Sequence, residues 1–229
     1  MISVVVPTYN AQKDLGRTLT ALIPAAVEGL VKDVTIVDGG SDDHTCRIAD
    51  EAGARLVRAE RGRGQQLAAG AREARGRWLL FLHADTVLQP GWEEDAFRHI
   101  QAIESTERPD RAAAFRFQLD DDGFLPAYVQ WAVAMRCRIL RLPYGDQGLL
   151  ISRRLYDEVN GFRPISIMED IDLVRRLGRR RITILRSAAV TSARRYRNDG
   201  YLRRMMRNAS CLALFYLRIP PRLIARLYG

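Results

Sequence analysis

The chain opens on an apolar, β-branched run, Ile2 to Val6, stopped by Pro7. Such a run is the pattern of a strand buried on both faces. A helix is predicted from about Ala11 to Leu22, and a second strand over Val34 to Val37 ends at Asp38-Gly39-Gly40. Asp42, Asp43 and Thr45 then offer N-cap oxygens for a helix through Glu51. Arg55 to Arg58 reads as a third strand, Gln65 to Arg75 as an alanine-rich helix, and Trp78 to Leu82 as a fourth strand. Strand and helix alternate over this stretch, which predicts an α/β domain with a mostly parallel sheet.

The second half is less regular. Ala113 to Leu119 and Gly148 to Ser152 are predicted as strands, with an amphipathic helix over Ala127 to Arg141 between them. Helices follow at Arg153 to Val159 and at Glu169 to Leu177, with two short strands at Arg181 to Leu185 and Ala188 to Thr191. From Tyr201 the chain reads as helical and basic until Pro220-Pro221. The expected organisation is one domain over 1–229, with a regular N-terminal half (1–90), a less regular second half (91–195) and a basic helical tail (196–229).

In a parallel α/β sheet, ligands bind beyond the carboxyl ends of the strands. Three predicted strands end in polar clusters: Thr8-Tyr9-Asn10, Asp38-Gly39-Gly40-Ser41 and His83-Ala84-Asp85-Thr86. They are far apart in sequence and are expected to converge on one edge.

Composition narrows the classes. Of 229 residues 47% are hydrophobic, enough for a filled core, and no low-complexity tract or repeat is present. The first residues read as a strand rather than a signal peptide, and no stretch offers the ~18 uninterrupted apolar residues of a membrane span. The three cysteines, Cys46, Cys137 and Cys211, form no CxxC pair. A zinc site or disulfide framework is not indicated, and a reducing cytoplasm is the expected compartment. The net charge of +9 suits an anionic partner, a diphosphate or an acidic membrane surface, although solvated helix faces explain many of the arginines.

In FLHADT, alternate residues of a strand share a face, so His83 and Asp85 can address one ligand, and a divalent cation on two phosphates needs such an oxygen donor. Asp85 could instead cap the helix expected near Gly91, and His83 could be structural. The segment also resembles the DxDxT of aspartyl-phosphate phosphatases, but a histidine in the nucleophile's place cannot form the acyl phosphate. In RGRGQQL, Leu67 stands where a dinucleotide fingerprint needs its third glycine; Gly62, Gly64 and Arg63 are read as letting backbone approach a phosphate at a helix N-terminus. Glu169, Asp170 and Asp172 suit the helix dipole, and Asp170, after a loop containing Pro164, is also placed to act as a general base. Asp146 and Gln147 either bind sugar hydroxyls or simply form a turn.

Taken in order, VVVPTYN, IVDGGSDDHT, GRGQQLAAGAREARGRWLLFLHADT, GDQGLLISRRLYDEVNGF and IMEDIDLVRRL resemble the family 2 glycosyltransferases of GT-A fold. The resemblance implies a Rossmann-like GT-A fold: a mostly parallel central sheet flanked by helices, here with a helical C-terminal extension. It implies that Pro7, Thr8 and Tyr9 line the nucleotide pocket, that Asp38 contacts the base or ribose, and that Arg63 contacts the nucleotide. Asp85 would be the surviving acid of a DxD element holding Mn²⁺ or Mg²⁺, with His83 in the place of the other. Asp170 would be the catalytic base, with Asp146, Gln147, Glu169 and Arg195 on the acceptor or diphosphate. VDGGS in place of VDDGS leaves the base of a UDP- or GDP-sugar open. The set VDGG, HADT and GDQG most resembles a bacterial subgroup assigned to arsenosugar biosynthesis. The activity implied is inverting transfer of a sugar from a nucleotide sugar to an acceptor hydroxyl.

Two rival classes remain on the residues alone. A nucleotidyltransferase would carry its phosphate loop directly after the first strand, where PTYN stands. A non-enzymatic binder of an anionic surface is prompted by the charge; no nucleic-acid-binding module is recognisable, so nucleic acid is not an expected partner. Peripheral membrane contact through the basic tail, at the inner face of the membrane, is an expected addition.

Overall fold

The computed structural model describes residues 1–105 and 109–228. One eight-stranded sheet runs in the order β3-β2-β1-β4-β7-β6-β8-β5. Its strands are β1 (Ile2–Thr8), β2 (Val31–Asp38), β3 (Arg55–Arg58), β4 (Trp78–Phe81), β5 (Thr86–Leu88), β6 (Ala112–Leu119), β7 (Leu149–Ser152) and β8 (Ile182–Thr191). The first four are mutually parallel; β7 runs antiparallel to β4 and β6, and β5 antiparallel to β8, while β6 and β8 are parallel. The sheet is therefore mixed, with its parallel block at the N-terminal side.

The helices are α1 (Leu15–Thr20), α2 (Ile23–Val27), α3 (Thr45–Glu51), α4 (Arg63–Glu73), α5 (Trp92–Glu104), α6 (Phe124–Leu140), α7 (Arg153–Glu158), α8 (Glu169–Leu177), α9 (Arg194–Asp199), α10 (Tyr201–Tyr216) and α11 (Pro221–Tyr228). They cover both faces of the sheet. Because side chains alternate along a strand, Val5 faces one core with Val37 and Phe81, while Val4 and Val6 face the other with Ile36 and Leu80. Helix α4 lies directly on β1 and β2 at Gly70, where a Cβ would stand 2.3 Å from Val5 Cγ1 and 2.8 Å from Val37 Cγ2. On the same face Phe81 meets the Phe162 ring edge-on at 4.8 Å. Among the described residues no helix is long and apolar enough to cross a membrane, and Cys46, Cys137 and Cys211 are free thiols.

Three expectations are corrected. The helix foreseen over Ala11 to Leu22 is the shorter α1, because residues 11 and 12 are held to the 43–45 loop: Ala11 N–H donates to Thr45 Oγ1 at 2.8 Å and Gln12 N–H to Asp43 at 3.1 Å, and α2 follows separately with Pro24 in its first turn. The two strands foreseen between Arg181 and Thr191 are one, β8, continuous across a register shift against β6 between Ala114 and Arg116. Pro220-Pro221 does not end the helical tail, since Pro221 opens α11, where a missing N–H costs nothing.

Candidate active site

The carboxyl ends of β1, β2 and β4 meet at one edge. Thr8 and Tyr9 (after β1), Arg63 (α4), His83 and Asp85 (after β4), Glu169 (α8) and Arg195 (α9) line a cavity of about 500 Å³. A smaller chamber of about 110 Å³ adjoins it, and His83, Asp85, Glu169, Asp146 and Asp170 line its wall. Antiparallel pairing of β7 with β4 sets Leu149 opposite Phe81, which brings the 145–148 turn beside the exit of β4. The β5–β8 pair fixes the other side: Ser192 N–H donates to the Asp85 carbonyl at 3.0 Å, and Thr191 Oγ1 donates to the Asp146 carbonyl at 3.0 Å.

Asp170 is held from two directions. Gly145 N–H donates to its Oδ2 at 2.6 Å and Ile171 N–H to its Oδ1 at 2.7 Å. These bonds orient the carboxylate without neutralising it, and they come from the 145–148 turn and from the first turn of α8, where Met168 takes the left-handed conformation at φ 65°. Glu169 beside it is buried, and burial together with the Asp170 charge pushes its pKa up to about 7, against the pull of Arg63. Burial likewise raises Asp146 to about 6, opposed by Arg136 and reinforced by Asp170 and Asp85. Its Oδ1 is buried and without a hydrogen-bond partner among the described residues. Burial, with Arg63 and Arg195 nearby, pushes His83 down to about 3, opposed by Asp85.

The Asp85 carboxylate carries no hydrogen bond or ion pair among the described residues, and α5 begins after Gly91 with no side-chain cap. Asp85 is thus not a capping residue; it faces the cavity. Tyr9 forms the outer wall, half-exposed, with the Arg61 guanidinium stacked 3.9 Å from its ring centroid.

Three sequence readings differ from the geometry. Asp38 does not line the cavity. Its carboxylate is buried and accepts from Thr8 Oγ1 (3.1 Å), Ser41 Oγ (2.5 Å), Ser41 N–H (2.8 Å) and Gly40 N–H (2.9 Å). Burial pushes its pKa up, and the bonds from Ser41, Gly40 and Thr8 outweigh that, leaving it below the ordinary value. Asp38 therefore shapes the loop that follows β2. Gln147 points inward instead of toward the chamber: its amide donates to the Phe115 carbonyl at 2.9 Å and accepts from Arg136 and Tyr144 N–H, each at 3.3 Å. Gly64 admits protein backbone, not a phosphate, because a Cβ there would stand 2.3 Å from the Arg163 carbonyl oxygen.

Some contributors were not foreseen. Gln66 is buried and its Nε2 donates to the Thr8 and Val37 carbonyls at 2.8 and 2.7 Å, locking the tips of β1 and β2 together. Arg204 and Asn208, four residues apart on one face of α10, reach the inner chamber; Arg204 is buried and pairs with Asp199 at 3.0 Å, and Asn208 Oδ1 is buried with no hydrogen-bond partner among the described residues. The only signal for them was a helical spacing inside a segment read as solvated.

The model of the glycosyl transferase family 2, Glycos_transf_2, matches residues 3–108, the stretch that builds β1 to β5 and the cavity's first wall. The N-terminal half thus resembles a family 2 glycosyl transferase domain. A PGL/p-HBAD biosynthesis glycosyltransferase of Mycobacterium bovis is 30% identical over 122 residues, which are 48% of this chain and 43% of that protein. A glucosyl-3-phosphoglycerate synthase of Mycolicibacterium paratuberculosis is 32% identical over 95 residues, 38% of this chain and 29% of that protein. The chain spans less than half the length of these curated relatives. Among solved structures, S. aureus TarS 1-349 superposes with a TM-score of 0.65 at 18% identity, covering 93% of this chain and 65% of that one. Glucosyl-3-phosphoglycerate synthase from Mycobacterium tuberculosis, solved in complex with Mn²⁺, UDP and its product, has a TM-score of 0.58 at 21% identity, covering 84% and 70%. The fold is thereby GT-A. The arsenosugar-biosynthesis kinship is corrected: the curated proteins that the N-terminal half resembles include PGL/p-HBAD glycosyltransferases and a glucosyl-3-phosphoglycerate synthase.

Proposed function

We propose that the protein transfers a sugar from a nucleotide-sugar donor to an acceptor hydroxyl, by a single displacement that inverts the anomeric carbon, with Asp170 as general base. The observation that carries this reading is the Asp170 carboxylate, oriented by two backbone N–H groups at the wall of the chamber that opens from the strand-end cavity. In the proposed step the acceptor hydroxyl loses its proton to Asp170 as its oxygen bonds to the anomeric carbon. The bond from that carbon to the diphosphate breaks, and its electron pair leaves with the nucleoside diphosphate. General base catalysis of this kind contributes about 10²–10⁴-fold.

In this reading residues 1–90 hold the nucleotide, 91–195 the acceptor and catalytic groups, and 196–229 close the chamber. Tyr9 and Arg61, with Pro7 and Thr8, form the wall for the base, and Arg63 and Arg195 supply positive charge for the diphosphate. Asp146 and Glu169 face the acceptor side of the chamber.

The residues fit a divalent cation shared with a diphosphate. Among the described residues there is no cluster of three acidic, histidine or cysteine ligands. A phosphate-bound Mg²⁺ or Mn²⁺ needs only one or two carboxylates, the rest of its shell being phosphate and water. Asp85, whose carboxylate has no protein partner among the described residues, would hold it, with His83 alongside. Bound there, the ion would offset the charge that develops on the departing diphosphate.

The cytoplasm, with its reduced thiols, is the proposed compartment. A thermal-shift series with UDP, GDP, CDP and dTDP, each with and without Mn²⁺, tests the donor half. One nucleotide should raise Tm in the presence of Mn²⁺, and Asp85→Ala should remove the metal-dependent part of the shift. No shift with any nucleotide would overturn the donor assignment.

A further inference from the structure

Helix α6 is apolar on the side that packs and on the side that does not. Its inner residues Val129 and Cys137 are buried, as a surface helix requires. Its outward face should then be polar, yet Phe124, Tyr128, Trp131 and Ile139 are 82%, 45%, 58% and 66% exposed. Their spacing puts them along one side of the helix, and the Tyr128 and Trp131 rings stack at 5.7 Å. Leu202 and Met206 on α10, which packs beside α6, are also exposed. A contiguous apolar patch of this kind marks an interaction surface.

A second feature lies on the flank of the same helix. Between α6, β6 and β8 is a cavity of about 280 Å³ with Phe117, Val133, Cys137 and Ile184 in its wall. Arg116, Arg138 and Arg141 line it too, all exposed, and none has a side-chain hydrogen bond or ion pair among the described residues. Arg138 lies seven residues after Trp131, so it continues the aromatic line. Of the acids nearest in sequence, Asp120 accepts from Ala193 N–H, Asp121 accepts from the Tyr201 hydroxyl, and Asp146 lies in the wall of the inner chamber.

We propose that α6 docks the protein on an anionic lipid surface, with Phe124, Tyr128 and Trp131 entering the headgroup boundary and the arginine-lined cavity holding an anionic lipid. Aromatic side chains with a polar edge suit that boundary, and apolar walls beside cationic side chains match a hydrocarbon chain with an anionic head. Docking is thereby placed on α6, with α10 at its flank, and not on the basic tail alone. It does not depend on glycosyl transfer.

The test uses the full chain with sedimenting vesicles of phosphatidylcholine, with or without about 30 mol % phosphatidylglycerol. The protein should sediment with the anionic vesicles and at least about tenfold less with neutral ones, as expected for electrostatic attraction added to apolar insertion. Trp131 emission should shift to the blue on binding, and the signal is specific because Trp78 and Trp92 are each 1% exposed. Phe124→Ser with Tyr128→Ser, and separately Arg116→Gln with Arg138→Gln and Arg141→Gln, should each lower binding about tenfold or more. Both variants change exposed side chains, and an unchanged Tm verifies folding. Dodecyl phosphate below its micellar concentration should bind more tightly than inorganic phosphate, since only the former fills an apolar cavity. The proposal is overturned by absence of vesicle binding, by equal binding of the variants, by equal affinity for the two phosphates, or by a dimer that the aromatic substitutions dissociate without changing vesicle binding.

Discussion

Replacing Gly64 by Ala adds one carbon at the joint between the nucleotide side and the catalytic side of the site. The new Cβ would stand 2.3 Å from the Arg163 carbonyl oxygen, 2.9 Å from the Ile165 carbonyl oxygen and 3.1 Å from the Ile165 nitrogen. All three are backbone atoms, so no rotamer change relieves the contact. Either the first turn of α4 or the 163–165 loop must retreat by about 1 Å, an overpacking strain of about 1–3 kcal/mol. The first choice displaces Arg63 and the Gln66 clamp; the second displaces the loop that leads to Glu169 and Asp170. For a chain of this size about 2 kcal/mol corresponds to a Tm lower by about 4–8 °C. A misplacement of about 1 Å in a catalytic constellation costs up to about 10²-fold in rate. Gly16→Ala is the control: Gly16 is exposed in α1, a Cβ there would meet no atom within 4 Å, and the variant should gain about 0.5–1 kcal/mol from helix propensity. Calorimetry of both variants, with release of nucleoside diphosphate from the nucleotide sugar as the activity, checks the pair. A Gly64→Ala protein as stable and active as the parent would refute the close approach between α4 and the catalytic loop.

Two further outcomes follow from buried polar groups. Gln66→Leu leaves the Thr8 and Val37 carbonyls without their side-chain donor and should lower stability by about 1–3 kcal/mol, read by urea unfolding, with nucleotide affinity falling as the β1 tip loosens. Asp110 is held below its ordinary pKa chiefly by the Arg154 guanidinium, with Ser152 assisting against burial. A depressed folded pKa contributes stability above the unfolded value of about 3.9 and loses it as pH falls through the folded value. The stability gap between parent and Asp110→Asn should therefore be full at neutral pH and close on acidification below about pH 4, as followed by thermal melts.

The N-terminal half was largely legible because its strands are short apolar runs punctuated by glycine, proline or acidic residues. β3 and α8 were read to the residue, since Arg55–Arg58 is bounded by polar turns and Glu169–Leu177 alternates with a strict helical period. The late start of α1 was not legible, because residues 11 and 12 are held by hydrogen bonds to a loop thirty residues on rather than by any local breaker. The same limit governed the site. The rule that ligands sit at strand ends put Thr8, Tyr9, His83 and Asp85 at one edge, and they line one cavity. Asp38 and Gln147 were misread because a polar residue in a turn looks alike whether it faces a ligand or satisfies buried neighbours. Arg204 and Asn208 arrive from α10, whose docking no local pattern announces.

The most direct measurement is the pairing of donor affinity with turnover in Asp170→Asn. The amide keeps the volume, and its oxygen can still accept from one of the two N–H groups, but it cannot take a proton. The Kd for the nucleotide sugar should stay within about threefold while kcat falls by about 10²–10⁴-fold, the range expected on removing a general base. A variant that retains kcat within about tenfold, or that loses donor affinity in step with kcat, would contradict Asp170 as the base.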